Sequence, residues 1–432
     1  MSEPETIHVV EWVSSVVPGL TEGEAAALEA LGRELKGDST WWGAPNEEDL
    51  ESIEPTGTSV IRLHRRPGDS EWRIQVANAI GVIGVGNVQI IIHPKIGGQH
   101  FNFISSMALN PSWMRFGDGA HRLAKDESYL AAVWKSFLDA LSISLKADLH
   151  RDYEEKFEEI GYVRGKMDVY RTSVNLARGI LRFPSTFEDH TEDNPVNRTL
   201  RAAAQLVGRS LTLFGNTGDT NPRGLTALRA WELLYRMGNV GELRPGDLDV
   251  VPPPLAVHQS RALNLAKHVL SGVGRTLRVG DVEVSCFLQP TPDLIEDGIR
   301  ELLDDGLGAN VSVKKRRRMA ARLSFNPDLV VEVDHPTPLG PLATGDVKYR
   351  MRKEDWPRSV LLQAMGFAQV FDVRRAFFVD FANDVRHQTR SEVVSEVSYH
   401  HVTWPSGEDV SPEQSAEYVV SELRRVLLGE SC

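Results

Sequence analysis

One stretch of 26 residues constrains this chain most: FNPDLVVEVDHPTPLGPLATGDVKYR, from Phe325 to Arg350. Two runs rich in β-branched residues flank a Pro/Gly-rich segment, a pattern that predicts two strands joined by a turn. Asp328 opens the first strand, and Asp346 and Lys348 lie two positions apart in the second. Because side chains alternate across a strand, Asp346 and Lys348 share one face. We expect the turn to bring Asp328 beside Asp346.

Two carboxylates at such a distance repel each other unless a cation lies between them. Mg²⁺ suits this arrangement, with Mn²⁺ as a substitute, because it binds carboxylate and carbonyl oxygens and keeps several waters. The predicted metal ligands are Asp328, Asp346 and the carbonyl of Val347. The Lys348 amine would orient a water or stabilise charge on a phosphate. The alternative interpretation is a hairpin whose ends are joined by salt bridges.

The pattern of elements predicts a multidomain α/β protein. Strand patterns dominate residues 1–165, helical patterns residues 166–274, and a mixed order residues 275–432, which predicts three domains with these boundaries. The last of them follows the order helix, strand, strand, helix, strand, which is typical of α/β folds with a mixed sheet between helices. Residues 128–157, SYLAAVWKSFLDALSISLKADLHRDYEEKF, predict one long helix because apolar residues recur at three-to-four spacing.

Charge is unevenly distributed along the chain. The formal net charge is −12, yet residues 310–353 contain ten Lys and Arg against four Asp and Glu. An acidic protein with one basic segment can still bind DNA phosphates there. The alternative is a solvated charged face. The candidate DNA-binding residues form the run KKRRR: Lys314, Lys315, Arg316, Arg317 and Arg318.

Several classes of protein are disfavoured by the sequence. It has no G-x-x-x-x-G-K-[ST] loop, so we expect this chain itself to bind and hydrolyse no nucleotide. The glycine-rich GVIGVGNVQ lies between strand patterns and predicts a hairpin instead of a dinucleotide site. The start, MSEPETIHVVEW, is acidic and polar, and no run of about 18 apolar residues predicts a membrane span. Two cysteines, Cys286 and Cys432, favour a reducing cytoplasm over a disulfide framework.

Pro327-Asp328 followed by Asp346-Val347-Lys348 resembles the PD…(D/E)xK signature of a large class of metal-dependent nucleases. That class usually adds an acidic residue on the preceding helix and a polar residue on the following one. Glu296 in PDLIEDGIRELL and Gln363 in VLLQAMGFAQV occupy those positions. A lone amide in an apolar helix needs a hydrogen-bond partner. The alternative interpretation places both residues on the surface.

Several further blocks, from about Ile61 to Phe381, resemble the McrC family, the nuclease subunits of McrBC-type (type IV) modification-dependent restriction systems. They are VGNVQIIIHPKIGG, YVRGKMDVYRTSVNLARGILRFPSTFEDHTEDNPVNRTLRAA, NPDLVV, GDVKYR and LLQAMGFAQVFDVRRAFFV. One departure is Leu294-Ile295-Glu296, where the family usually has Leu-Phe-Glu. The segment before Ile61 matches no part of the family.

The resemblance implies a Mg²⁺-dependent DNA endonuclease that cuts modified double-stranded DNA in phage defence. It also implies a partner, the McrB-like AAA+ GTPase ring, which residues 1–165 would engage and stimulate. Two alternatives stay open at this point. One is a self-sufficient nuclease without a motor, and the other is a regulatory adaptor that stimulates a ring NTPase without cutting.

Overall fold

The computed structural model describes residues 5–37, 60–66, 68–109, 129–214, 227–252, 254–320, 322–333, 340–351, 358–383 and 389–429. These residues form two compact units. The first combines the described residues up to Leu130 with those from Ser271 onward, and the second comprises Ala131–Leu270. Among the described residues, no helix is both long enough and apolar enough to cross a membrane.

The helices carry the following labels in chain order: α1 (Glu22–Gly37), α2 (Gly98–Leu109), α3 (Tyr129–Lys146), α4 (Val169–Ala177), α5 (Pro195–Phe214), α6 (Ala227–Arg236), α7 (Val257–Ser271), α8 (Pro292–Gly306), α9 (Arg358–Phe371) and α10 (Pro412–Leu423). One turn of π-helix continues α10 over Arg424–Leu428.

The strands are labelled in the same way: β1 (Glu5–Val10), β2 (Ser15–Val17), β3 (Ile61–His64), β4 (Trp72–Val76), β5 (Ala79–Val85), β6 (Val88–His93), β7 (Asp152–Ile160), β8 (Lys166–Met167), β9 (Phe183–Thr191), β10 (Val273–Val279), β11 (Val282–Pro290), β12 (Val311–Lys314), β13 (Arg318–Ala320), β14 (Leu323–Phe325), β15 (Leu329–Val333), β16 (Pro341–Met351), β17 (Arg375–Ala382), β18 (Arg390–Val394) and β19 (Val397–Pro405).

The first sheet of the first unit has the strand order β1-β6-β5-β11-β10. The predicted hairpin in GVIGVGNVQ is present, since β5 and β6 pair antiparallel. Gly81 has a φ of +147°, and a Cβ there would lie 2.0 Å from the Phe287 carbonyl oxygen. Only glycine therefore fits where β5 passes β11. Helix α1 packs on this sheet and begins with a capping box, in which Glu24 accepts from the Thr21 N–H at 2.9 Å.

The two compact units and the three predicted domains have different boundaries. Strands β10 and β11 follow the predicted boundary at residue 274, yet they complete the first sheet, because β11 pairs with β5 from Val284↔Val85 to Pro290↔Ala79. Two of the five strands are therefore supplied by residues about 200 positions after β5 in the chain. A sheet of this kind cannot be predicted from local patterns, which carry no information on distant pairing.

The second large sheet has the order β12-β15-β16-β17-β19-β18. β15 and β16 pair antiparallel, whereas β16 pairs parallel with β17, and β17 with β19. The predicted order of helix, strand, strand, helix, strand is present as α8, β15, β16, α9 and β17. Gly298 permits the close packing of α8 on α2, because a Cβ there would lie 2.2 Å from the Ile104 carbonyl oxygen.

The second unit contains helices α5, α6 and α7, as the sequence predicts, and a small sheet of order β7-β9-β8. The long helix predicted for residues 128–157 is wrong in its second half. Helix α3 ends at Lys146, and β7 begins at Asp152. All nine residues of β7 pair with β9, from Asp152↔Thr191 to Ile160↔Phe183. Pairing with a strand 30 residues away overrides the local helical preference of DYEEKFEEI.

Candidate active site

The two aspartates of the quoted strand pair lie side by side. β15 pairs with β16 from Leu329 opposite Gly345, so Asp328, one residue earlier, comes beside Asp346 in the same register. The Val347 N–H donates to Asp328 Oδ2 at 2.9 Å and holds this carboxylate at the beginning of its strand. The residues that join the two strands lie outside the described part of the chain. Strand register is nevertheless sufficient to bring the carboxylates together.

Lys348 lies on the same strand face as Asp346 and contacts two residues. Its Nζ is 2.7 Å from Asp346 Oδ2 and donates to Gln363 Oε1 at 2.8 Å. Gln363 is supplied by α9, which packs against β16 and β17. Asp346 is 6% exposed and Lys348 is 7% exposed. The ion pair is therefore largely desolvated, and the amide of Gln363 fixes the direction of the lysine side chain.

Glu296 reaches the same place from α8. It is 9% exposed, and its Oε2 lies 3.5 Å from Lys315 Nζ. Burial raises the pKa of the Glu296 carboxyl, the Lys315 ammonium opposes that rise, and the carboxylates of Asp293 and Asp346 add to it. Helix α8 thus contributes one carboxylate to a cluster that already contains two.

Asp328 is the carboxylate most strongly affected by its neighbours. Burial raises the pKa of Asp328 well above its ordinary value, and the charges of Asp346 and Glu296 raise it further. Like charges in a poorly solvated site disfavour joint ionisation. A divalent cation bound between the carboxylates would remove this repulsion, because it stabilises their ionised forms.

The donor set fits a hard cation. Mg²⁺ usually binds one or two carboxylates and retains several waters, and Asp328 with Asp346 supplies two carboxylates. Among the described residues, no group of three or more His, Cys, Asp and Glu side chains forms a preformed metal centre. Mg²⁺ does not require one. The Val347 carbonyl as a third ligand stays a prediction.

The basic run does not form one uniform face. Lys314 Nζ lies 3.7 Å and Arg316 Nε 2.7 Å from the Glu332 carboxylate. Arg317 donates to Ser324 Oγ at 2.7 Å. Arg318 donates to the Val370 carbonyl at 3.3 Å, and its guanidinium lies 4.8 Å from the centre of the Phe371 ring. Four of the five side chains are thus exposed but engaged away from the acidic cluster.

Lys315 is the exception, since its amine faces Glu296. From the sequence, Lys315 is predicted only as a DNA-binding residue like its neighbours, without a connection to the carboxylates. The strand period offered a signal: Lys314 and Arg316 are two positions apart and both contact Glu332, whereas Lys315 lies between them and points the other way. The structure therefore adds Lys315 to the five side chains that the sequence placed at the site beside the Val347 carbonyl: Glu296, Asp328, Asp346, Lys348 and Gln363.

Together these features define a mixed α/β protein in which carboxylates and the buried Lys348 cluster where the start of β15 lies beside β16, with the half-exposed Lys315 next to Glu296. Residues 74–370 match the sequence profile of the family described as "McrBC 5-methylcytosine restriction system component". This chain belongs to that family. The resemblance to McrC drawn from the sequence is thereby confirmed, and the matched region contains all six residues of the site.

The structure is also similar to solved structures of McrBC assemblies from Thermococcus gammatolerans. One is described as a half-complex from a tetradecameric assembly of McrB AAA+ hexamers with bound McrC; the TM-score is 0.57 and the identity 17%, over 97% of this chain and 100% of that chain. The other, a McrBC complex, has a TM-score of 0.46 and 20% identity over 70% of this chain and 88% of that chain. The first likeness establishes a shared fold. No curated protein matches this chain in sequence.

The Lys315–Glu296 contact leads to a testable expectation. Lys315→Gln should raise the pKa of Glu296 further, because it removes the cation that opposes the effect of burial. Lys314→Gln is the matched control and should leave the pKa unchanged, since Lys314 contacts Glu332 instead. The measurement is a pH titration of the Glu296 side-chain carboxyl by carbon-13 NMR in the metal-free protein. Equal shifts in both variants would show that Lys315 has no special relation to the site.

Proposed function

We propose that this chain is the DNA-cutting subunit of a McrBC-type restriction complex. It hydrolyses phosphodiester bonds of modified double-stranded DNA with Mg²⁺, and a separate AAA+ GTPase ring, whose hydrolysis it stimulates, drives the reaction. The C-terminal part would have the PD-(D/E)xK nuclease fold.

The observation that carries the proposal is the convergence at the acidic cluster. Four elements distant from one another in the chain place their polar side chains at one point of otherwise apolar strands and helices. Burying three carboxylates together costs free energy, so a purely structural role is a poor explanation of the arrangement. Perturbed, desolvated titratable groups that converge from several elements are instead typical of reaction sites.

Each residue has a role that follows from its contacts. Asp328 and Asp346 would hold Mg²⁺, which when bound supplies Lewis-acid activation of water and neutralises charge on the phosphate. Lys348, held between Asp346 and Gln363, is placed to donate to a phosphate oxygen as negative charge develops there. The reaction adds a water oxygen to phosphorus, breaks one P–O ester bond, and transfers a proton to the leaving oxygen. Glu296 adds negative charge that favours cation binding.

The partner is inferred from the family and from one surface of the second unit. Large apolar side chains are exposed in and around β7–β9 and α4, including Tyr162 (62% exposed), Tyr170 (78%) and Leu181 (74%). Exposed apolar patches of this kind mark interaction sites. The sequence contains no phosphate-binding loop, so hydrolysis of GTP belongs to another polypeptide. The related assembly contains McrB AAA+ hexamers with bound McrC.

Asp346→Asn should reduce DNA cleavage by at least about 1,000-fold, because it removes a metal ligand and the counter-ion of Lys348. Stimulation of the partner GTPase should stay at the wild-type level, because the substitution keeps the shape of the side chain. The assay measures cleavage of methylated and unmethylated DNA with the purified chain, its AAA+ partner, GTP and Mg²⁺. Undiminished cleavage by Asp346→Asn would exclude this cluster as the reaction site.

The same assay separates the alternatives. Cleavage by the chain without a partner would favour a self-sufficient nuclease. GTPase stimulation without any cleavage by the wild-type complex would favour a non-cutting adaptor.

The basic run should contribute to DNA affinity when its side chains exchange their present partners for DNA phosphates. Replacing Lys314, Arg316 and Arg317 together with neutral residues should make the fall of log affinity with log salt less steep. The slope should change by up to about 0.9 for each lost phosphate contact. Glu332→Gln should have the opposite effect and tighten binding, because it releases Lys314 and Arg316 from their ion pairs. If neither variant alters the slope, the run is a solvated face.

The exposed tyrosines should be needed for the partner. Tyr162→Ser combined with Tyr170→Ser should lower stimulation of the partner GTPase by on the order of tenfold, since exposed aromatic side chains often dominate interface energies. Tyr235→Ser is the matched control, because Tyr235 is 88% exposed on α6 of the same unit. The measurement is GTPase rate against concentration of added chain. Equal effects of both sets of substitutions would place the ring contact elsewhere.

A further inference from the structure

Glu11 is a buried carboxylate far from the acidic cluster in sequence. It follows β1 directly and is 0% exposed. Burial raises the pKa of Glu11, and the nearby Lys95 ammonium opposes that rise. A buried carboxylate is retained only where hydrogen bonds and a counter-charge compensate its lost hydration. Its partners therefore show what it holds in place.

Three distant segments donate to this one carboxylate. The Thr291 hydroxyl donates to Glu11 Oε2 at 2.9 Å. The Lys95 backbone N–H donates to Glu11 Oε1 at 3.1 Å, and the Tyr349 hydroxyl donates to the same oxygen. The ammonium of Lys95 also lies 4.0 Å from the centre of the Tyr349 ring. Both carboxylate oxygens are thus engaged: Oε2 by Thr291 at the start of α8, and Oε1 by Lys95, which follows β6, and by Tyr349 of β16.

Thr291 connects Glu11 with the helix that carries Glu296. It is the N-cap residue of α8, yet its side chain makes no capping hydrogen bond to that helix. A threonine at this position ordinarily caps its own helix. Here the hydroxyl is directed to Glu11 instead. Glu296 follows five residues later, about 7.5 Å along the helix axis at 1.5 Å per residue, so the position of Thr291 sets that of Glu296.

Tyr349 connects Glu11 with the strand that carries the rest of the site. It follows Lys348 in β16, where the pairing of β16 with β17 is irregular, and its hydroxyl contacts Glu11 whereas Lys348 Nζ contacts Asp346 and Gln363. Its ring lies 5.8 Å from Phe381 and 6.4 Å from Phe101 between ring centres. Displacement of Tyr349 would therefore move the backbone that positions Lys348 and, two residues before it, Asp346.

We propose that Glu11 is a positioning residue of the nuclease site. By accepting from Thr291 and Tyr349 it fixes α8 relative to β16, so that Glu296 faces Asp328 and Asp346. The inference rests on the proposed function, because it concerns the geometry of that same cluster. It gives the first strand of the chain a role in cutting DNA in addition to any role in engaging a partner.

The test compares Glu11→Gln, Tyr349→Phe and the double variant in the complete complex with the AAA+ partner, GTP and Mg²⁺. Single-turnover cleavage at saturating DNA should fall on the order of 10- to 100-fold in each single variant, because catalytic groups displaced by about 1 Å lose activity on that scale. The double variant should be no slower than the slower single variant, since both substitutions break one linkage. Fully additive losses would show that Glu11 does not act through Tyr349 and would overturn the proposal.

Ser415→Ala is the matched control for a lost buried hydroxyl. Ser415 is 0% exposed on α10 and donates to the Pro405 carbonyl at 2.6 Å, away from the acidic cluster. Thermal unfolding midpoints should fall by a similar amount in Ser415→Ala and Tyr349→Phe, whereas only Tyr349→Phe should lose cleavage. If Ser415→Ala loses as much cleavage as Tyr349→Phe, general destabilisation explains the loss and the proposal is overturned.

Binding of Mn²⁺, followed by electron paramagnetic resonance, gives a readout that does not depend on cleavage. Glu11→Gln and Tyr349→Phe should weaken Mn²⁺ binding relative to wild type and Ser415→Ala. If the wild-type complex cuts no DNA but these variants still weaken Mn²⁺ binding, the positioning role stands and the nuclease assignment fails. If the wild type cuts DNA and both variants match it in rate and in Mn²⁺ affinity, the positioning role alone is excluded.

Discussion

The confinement of like charges where the start of β15 lies beside the middle of β16 is the constraint on which the candidate site depends. Three carboxylates, Glu296, Asp328 and Asp346, lie together with two amines, the buried Lys348 and the half-exposed Lys315. The fully ionised cluster has one excess negative charge. One bound divalent cation would reverse that sign and leave a site that attracts a phosphodiester. In the proposed function, cation binding would therefore precede binding of the phosphodiester.

A short connection joins the first sheet to α8, the helix that carries Glu296. β11 ends the pairing of the first sheet at Pro290, and α8 begins at Pro292, so Thr291 alone separates that sheet from the helix that bears Glu296. Helix α8 then packs closely on α2, where Gly298 leaves room for the Ile104 carbonyl. A chain ending near residue 270 would lack β10 and β11 and expose the edge of β5. The N-terminal sheet and the acidic cluster therefore lie in one compact unit, on both sides of the domain boundary that the sequence predicts at residue 274.

The sequence allows prediction of those parts of the site that follow from strand period and local order. Alternation placed Asp346 and Lys348 on one face, and the hairpin pattern brought Asp328 beside them. The lone amide Gln363 in an apolar helix also pointed to a buried partner. The direction of Lys315 and the role proposed for Glu11 could not be predicted in the same way. The partners of Glu11 lie 84, 280 and 338 residues away, and only tertiary structure brings such residues together. β7 was mispredicted for the same reason, since its partner β9 decides its conformation.

In the proposed function Asp346 would serve both as a cation ligand and as the counter-ion of Lys348. A carboxylate offers about four lone-pair positions on two oxygens, so Asp346 can bind a cation while one oxygen stays 2.7 Å from Lys348 Nζ. A single side chain, Asp346, thus holds the Lys348 amine next to the metal position, and Gln363 fixes the direction of the amine. A cation at Asp346 would withdraw electron density from that carboxylate and weaken its hold on Lys348. The lysine would then be more available to a phosphate oxygen when the metal site is filled, which couples the two groups without any movement of the backbone.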